Sequence, residues 1–130
     1  MDIKDYRGHV ILIDFWSLGC APCRLDIEKE LPKLLEEYRD KGLVILGVNM
    51  DQGLDDGRDY PLEYIKDKKI TWSNYCTRSG TMKGYTADWG VFALPTQFLV
   101  DRQGNLRFID ATKDRKARIE LLLAEPANKK

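Results

Sequence analysis

Residues 10–23 read Val-Ile-Leu-Ile-Asp-Phe-Trp-Ser-Leu-Gly-Cys-Ala-Pro-Cys. Val10 to Trp16 are β-branched, aliphatic or aromatic except for Asp14. A run that is apolar on both faces predicts a central strand in a sheet covered on both sides. Ser17-Leu18-Gly19 then supplies a turn, and Pro22 falls in the first turn of a helix, where its missing N–H costs nothing. Cys20 therefore sits about where the helix begins, and Cys23 one turn further in.

That placement has a chemical consequence. Unpaired backbone N–H groups and the macrodipole at a helix start favour an anion, which lowers a thiol from its free value of about 8.5. Cys20 is thus the candidate nucleophile. Cys23 is close enough to close a disulfide with it and, lying deeper in the helix, is the candidate resolving thiol. The same CxxC spacing is half of many zinc sites. Here no second CxxC or histidine pair follows, and His9, the only histidine, reads as a turn residue at a strand edge.

The 130 residues, 43% of them hydrophobic, suffice for one packed globular domain spanning 1–130. Lys plus Arg and Asp plus Glu each number 21, without long blocks of either sign, which argues against nucleic-acid binding through a basic face. No apolar run reaches the roughly 18 residues of a membrane span, and the first residues lack the pattern of a signal peptide. Three cysteines in a chain with this core do not make a disulfide scaffold. Cys76 has no partner at disulfide or metal spacing and reads as a small packing residue.

Along the chain, Ile27, Leu31, Leu34, Leu35 and Tyr38 recur at helical spacing, predicting a helix from Pro22 to Lys41, kinked at Pro32 and stopped by Gly42. Leu43 to Met50 reads as a second buried strand, parallel to the first through a right-handed crossover. After an acidic loop from Asp51 to Asp59, Pro61 opens a helix to about Lys69, and Ile70 to Tyr75 is expected to be extended. Residues 77–94 carry little period, with a short helix expected over Met82 to Trp89. Pro95 to Asp101 reads as a strand, and Asp101-Arg102-Gln103-Gly104-Asn105 as a hairpin turn into Leu106 to Ile109. Lys113 to Ala124 closes the chain as a helix burying Ile119, Leu122 and Leu123.

This order of elements, with Leu94-Pro95-Thr96 before the hairpin, resembles the thioredoxin superfamily. Within it the chain is similar to TlpA/ResA-like thiol-disulfide oxidoreductases. The matching segments are Asp5-Tyr6-Arg7-Gly8, Ile13-Asp14-Phe15-Trp16, Cys23-Arg24, Leu46-Gly47-Val48-Asn49-Met50-Asp51 and Leu94 to Gly104. The implied fold is α/β: a central mixed β-sheet flanked by helices, with a C-terminal antiparallel hairpin and final helix. Three positions depart from the family pattern. Gly19 replaces an aromatic residue, Glu28 stands where a helix proline is usual, and Pro32 comes later. Family members also carry an N-terminal hairpin upstream, so the chain is expected to be cut from a longer, exported protein.

The resemblance implies Cys20 as nucleophile, Cys23 as resolving thiol, Pro95 as a cis-proline facing the disulfide, and Asp14 as the buried base that helps Cys23 lose its proton. An acid inside a buried strand is costly in its own right, which independently points to a role. Asp26 matches an acidic residue that tunes the thiols. Trp16, Ala21, Pro22 and Leu94 are the implied substrate-binding residues. The implied activity is reduction of protein disulfides with no cofactor and no metal. The implied partners are disulfide-containing proteins and an upstream thiol donor, for which a membrane thiol-disulfide transporter is one candidate. The implied location is extracytoplasmic, and the expected state is a monomer. Two alternatives stay open. One is a thiol peroxidase of peroxiredoxin type, since Ser17 has the spacing of a peroxide-binding hydroxyl, although Ile13 replaces that class's proline. The other is a metal-binding or interaction domain using the CxxC.

Overall fold

The structure, a computed structural model, describes residues 3–54, 56–78, 89–91 and 93–127. Five strands, β1 (Val10–Trp16), β2 (Leu43–Gln52), β3 (Ser73–Arg78), β4 (Thr96–Val100) and β5 (Leu106–Phe108), form one mixed sheet in the order β3-β2-β1-β4-β5. β1 is central, as its apolar run predicts. It pairs parallel with β2, Val10 opposite Leu43 through Trp16 opposite Asn49, and antiparallel with β4, Ile11 opposite Val100 through Phe15 opposite Thr96. All seven residues of β1 are buried.

The period of two along β1 divides the core. Val10, Leu12 and Trp16 face helical residues Cys23, Ile27, Leu31, Leu34 and Tyr38, together with Ile119 and Leu122 of the final helix. Ile11, Ile13 and Phe15 face the opposite side with Leu46, Val48, Phe98 and Val91. On that side Phe15 meets the ring of Phe98 edge-on at 4.9 Å, and Trp89 stacks on Phe98 at 5.8 Å.

The helix that follows β1 differs from a single kinked rod. It comprises α1 (Ala21–Leu25), a π-helical turn over Asp26–Glu30, and α2 (Leu31–Tyr38), then a short 3-10 turn to Lys41. Pro32 explains the break. It has no N–H to give the carbonyl of Glu28, and its ring crowds that same carbonyl. Upstream the turn has widened, so that Leu31 N–H bonds to Asp26 O, five residues back. Ile27, Leu31, Leu34 and Tyr38 nevertheless stay buried in one stripe. Gly42 ends the segment at φ 113°, where a side chain would also meet the Arg102 guanidinium at 2.7 Å.

Downstream, α3 (Tyr60–Asp67) is capped by Asp59, whose carboxylate accepts from Leu62 N–H at 3.2 Å. The extended segment expected over Ile70 to Tyr75 is shifted: β3 starts at Ser73 and includes Cys76, because it is a polar strand held by parallel pairing to β2 rather than by an apolar run. Gly47 of β2 faces Asn74, whose Oδ1 lies 1.8 Å from where a Cβ would stand, so glycine is required there. The hairpin is antiparallel, with Asp101 Oδ1 accepting from Gln103 N–H and Asn105 N–H across its turn. The final helix α4 runs Arg115–Leu123, with Leu123 only partly buried. Tyr38 at the end of α2 donates its hydroxyl proton to Glu120 of α4. The helix expected over Met82 to Trp89 falls, apart from Trp89, outside the described residues.

Phe98→Ala, which empties the centre of the aromatic cluster, is expected to cost about 3–5 kcal/mol of unfolding free energy in urea titration. Ile109→Ala, at a residue 64% exposed, is expected to change it by less than about 0.5 kcal/mol. Equal effects would contradict this division of the core.

Candidate active site

The end of β1 delivers the chain into the turn that carries the two cysteines. Leu18 N–H donates to Asp51 Oδ2 at 2.9 Å, and Asn49 Nδ2 donates to the same oxygen at 2.7 Å, so the end of β2 fixes the turn. Cys20 and Cys23 are joined as a disulfide with their Cα atoms 5.2 Å apart. Cys20 is the N-cap of α1 in extended conformation, and its Sγ accepts from Cys23 N–H at 3.3 Å. Charge left on that sulfur after reduction is met by a helix-start donor. The two sulfurs differ in access: Cys20 is partly exposed, whereas Cys23 is 1% exposed in the core.

Thr96 lies opposite Phe15 in the β1–β4 pairing, so Pro95, just before β4, is at the same end of the sheet as the cysteine turn. The Leu94–Pro95 peptide is cis. Leu94 and Cys20 pack against the same core cluster, while Pro95, Ala21 and Pro22 are exposed. Trp16 departs from the expected substrate contact. It is fully buried, donates its indole N–H to Asn74 Oδ1 at 2.9 Å and rests against Tyr64 at 5.5 Å, because β1 points it inward beneath the helix.

Asp14 is 1% exposed in the middle of the sheet, on the face of Leu12 and Trp16 that the α1–α2 segment covers. Burial pushes its carboxyl up to about 7, offset in part by the hydrogen bond from Gln97, whose Nε2 reaches Asp14 Oδ1 at 3.0 Å. Asp14 Oδ2 is buried with no hydrogen-bond partner. Asp26 is not a solvated helix residue. Arg115 holds both its oxygens, at 2.9 and 3.0 Å, and Gln97 Nε2 donates to its Oδ2 at 2.8 Å.

Sequence reasoning did not identify Gln97, Arg115 or Asp51. Gln97 had a signal, as a long amide inside an otherwise apolar strand; Arg115 had none, since it reaches Asp26 across 89 positions of chain. Cys76 is a half-buried free thiol on β3, and burial with the charge of Asp51 pushes its ionisation up, which fits a packing residue. His9 is exposed at its turn, and its N–H donates to Tyr6 O at 3.0 Å. Among the described residues no group of three His, Cys, Asp or Glu side chains is arranged to hold a metal ion.

The raised ionisation of Asp14 has a signed consequence for stability. Between the ordinary value of 3.8 and about 7 the folded chain holds a proton that the unfolded chain has lost, so stability falls as pH rises through that window. The full loss above it is about 4 kcal/mol. Asp14→Asn is expected to be the more stable protein in urea titrations at about pH 8, with the gap closing toward about pH 4. A gap independent of pH would remove this account of Asp14.

Comparison with known proteins places this geometry. Residues 1–109 match the AhpC/TSA family. The thiol-disulfide oxidoreductase ResA of Bacillus thuringiensis subsp. konkukian is 27% identical over 82% of this chain, which spans 57% of that relative's length. The thioredoxin-like protein YneN of Bacillus subtilis is 28% identical over 82% of the chain and 59% of its own length. The chain thus spans little more than half the length of these relatives. A crystal structure of a thiol:disulfide interchange protein DsbE from Chlorobium tepidum superposes with a TM-score of 0.76 at 25% identity, covering 95% of this chain and 85% of that one. A solution structure of a thiol:disulfide interchange protein from Bacteroides sp. gives 0.74 at 25%, covering 96% and 80%. The sheet order, the cysteine pair at the start of α1 and the cis-proline before β4 accordingly belong to a thioredoxin-like fold, and the chain is a member of the AhpC/TSA family.

Proposed function

We propose that this chain is a thiol-disulfide oxidoreductase that reduces disulfides in protein substrates through Cys20 and Cys23. The observation that carries the reading is the asymmetry of the pair: a partly exposed Cys20 at a helix start, its sulfur facing a donor N–H, and a buried Cys23. In the reduced chain the Cys20 thiolate attacks one sulfur of a substrate disulfide, forming a mixed disulfide and expelling the other substrate sulfur as a thiolate. Cys23 then gives its proton to the Asp14 carboxylate and attacks Cys20 Sγ, releasing the second substrate thiolate and closing the Cys20–Cys23 disulfide. Two electrons have passed to the substrate, and an upstream thiol donor must return them. The likeness to the thiol-disulfide oxidoreductase ResA and to the thiol:disulfide interchange protein DsbE supports this reading.

Exposed Ala21, Pro22 and Pro95, with partly buried Leu94, supply the surface against which a substrate segment would lie. Action as a monomer is part of the same proposal. An extracytoplasmic setting, with a membrane thiol-disulfide transporter as the donor, completes the proposal. No helix among the described residues is long and apolar enough to cross a membrane.

Cys20→Ser is expected to abolish reduction of insulin disulfides, and Cys23→Ser to accumulate mixed disulfides resolvable on non-reducing gels. Asp14→Asn is expected to slow release of the mixed disulfide by about 100-fold near neutral pH. A reduction potential near that of thioredoxin, about −270 mV, is expected from equilibration with thiol/disulfide buffers; one near that of DsbA, about −120 mV, would make the chain an oxidant. Rapid consumption of peroxide by Cys20 alone, with no insulin reduction, would overturn the proposal in favour of a peroxidase.

A further inference from the structure

Asp14 and Gln97 stand directly opposite each other in the β1–β4 pairing, so their side chains leave the sheet on one face. Gln97 is fully buried and its amide is fully used. Nε2 donates to Asp14 Oδ1 at 3.0 Å and to Asp26 Oδ2 at 2.8 Å, and Oε1 accepts from Arg115 Nη1 at 3.0 Å. The neighbours dictate this orientation, since two carboxylates need the nitrogen and a guanidinium needs the oxygen. Arg115, the first residue of α4, grips Asp26 as a bidentate pair whose side chains are only 16% and 18% exposed. With Oδ1 of Asp14 already held by a donor, Oδ2 is the oxygen open to a proton.

We propose that Gln97 and Arg115 are positioning residues for the dithiol chemistry: Gln97 confines proton exchange at Asp14 to Oδ2, and the Asp26–Arg115 pair sets the pH at which Asp14 accepts the proton of Cys23. The inference rests on the proposed role of Asp14 as the base. The groups bearing on Asp14 from the elements packed over it are the carboxylate of Asp26 between α1 and α2 and the guanidinium of Arg115 in α4, with neutral Gln97 beside it on β4; Cys23 of α1 belongs to the core cluster that covers the same face. Asp26 favours the protonated form of Asp14; Arg115 and the Gln97 hydrogen bond favour the ionised form. Substitutions at the two members of one ion pair therefore act in opposite directions, which a merely structural pair would not do.

The test uses reduced protein and dithionitrobenzoate. The Cys20 thiolate attacks the reagent disulfide, releasing one thionitrobenzoate and keeping the other as a mixed disulfide; Cys23 then expels that one, giving a second, kinetically separate release whose rate is followed against pH. Arg115→Met is expected to raise the midpoint of that profile by about one pH unit, and Asp26→Asn to lower it by about as much. Arg115→Lys is expected to restore the wild-type midpoint, and Gln97→Met, which keeps the length and removes the amide, to raise it. In an Asp14→Asn background all these displacements are expected to vanish, with thermal melts reporting that each variant is folded. Midpoints that stay fixed, or that move in the same direction for Arg115→Met and Asp26→Asn, would overturn the inference, as would displacements that persist without Asp14. If Asp14→Asn alone leaves the second release unchanged, the role of Asp14 itself fails, a result distinct from a slowed release that ignores Gln97 and Arg115.

Discussion

The burial of one carboxyl group, that of Asp14, is the constraint around which this structure is arranged. β1 is paired on both edges and covered on both faces, so Asp14 has no route to water except through other side chains. A carboxylate isolated in such surroundings is too costly to persist, and the protein answers in two ways. It favours the protonated form, and it supplies an amide donor from the strand opposite. Gln97 in turn needs partners for the rest of its amide. Asp26 and Arg115 provide them, so that one buried acid draws in residues from β4, the α1–α2 segment and α4.

The helix after β1 serves the same end. A regular helix through Pro32 would drive its ring into the Glu28 carbonyl. The wide turn over Asp26–Glu30 removes that conflict and keeps Ile27, Leu31, Leu34 and Tyr38 in one buried stripe against β1. The same turn starts at Asp26, whose side chain joins the buried polar cluster. Backbone irregularity and a candidate functional side chain thus coincide, as is common for π-turns inside helices. At the other end of α1 the cysteine turn is tied to β2 through Asp51, so the sulfur pair is positioned by two strands as well as by its own helix.

Much of this was legible in the chain. The apolar run of Val10 to Trp16, Pro22 behind Cys20, Gly42, and the Asp101 to Asn105 turn each carry a local physical signal, and each forms the element that signal predicts. β3 was displaced because a polar edge strand owes its existence to a partner rather than to its own pattern. The family resemblance implies Trp16 as a substrate-binding residue. Only the direction in which β1 presents it, inward against Tyr64 and Asn74, makes it a packing residue.

Local signals in the chain were enough for a strand-turn-helix-strand order, a CxxC at a helix start and an acid in the central strand, because periodicity, turn chemistry and cap preference act over a few residues. The company that acid keeps is set by the way distant elements pack. Gln97 meets Asp14 through strand register, and Arg115 meets Asp26 through the docking of α4, neither of which leaves a trace in local spacing. Long-range polar contacts depend on where whole elements come to rest, and that is settled by packing across the sheet, not by the order of residues along it.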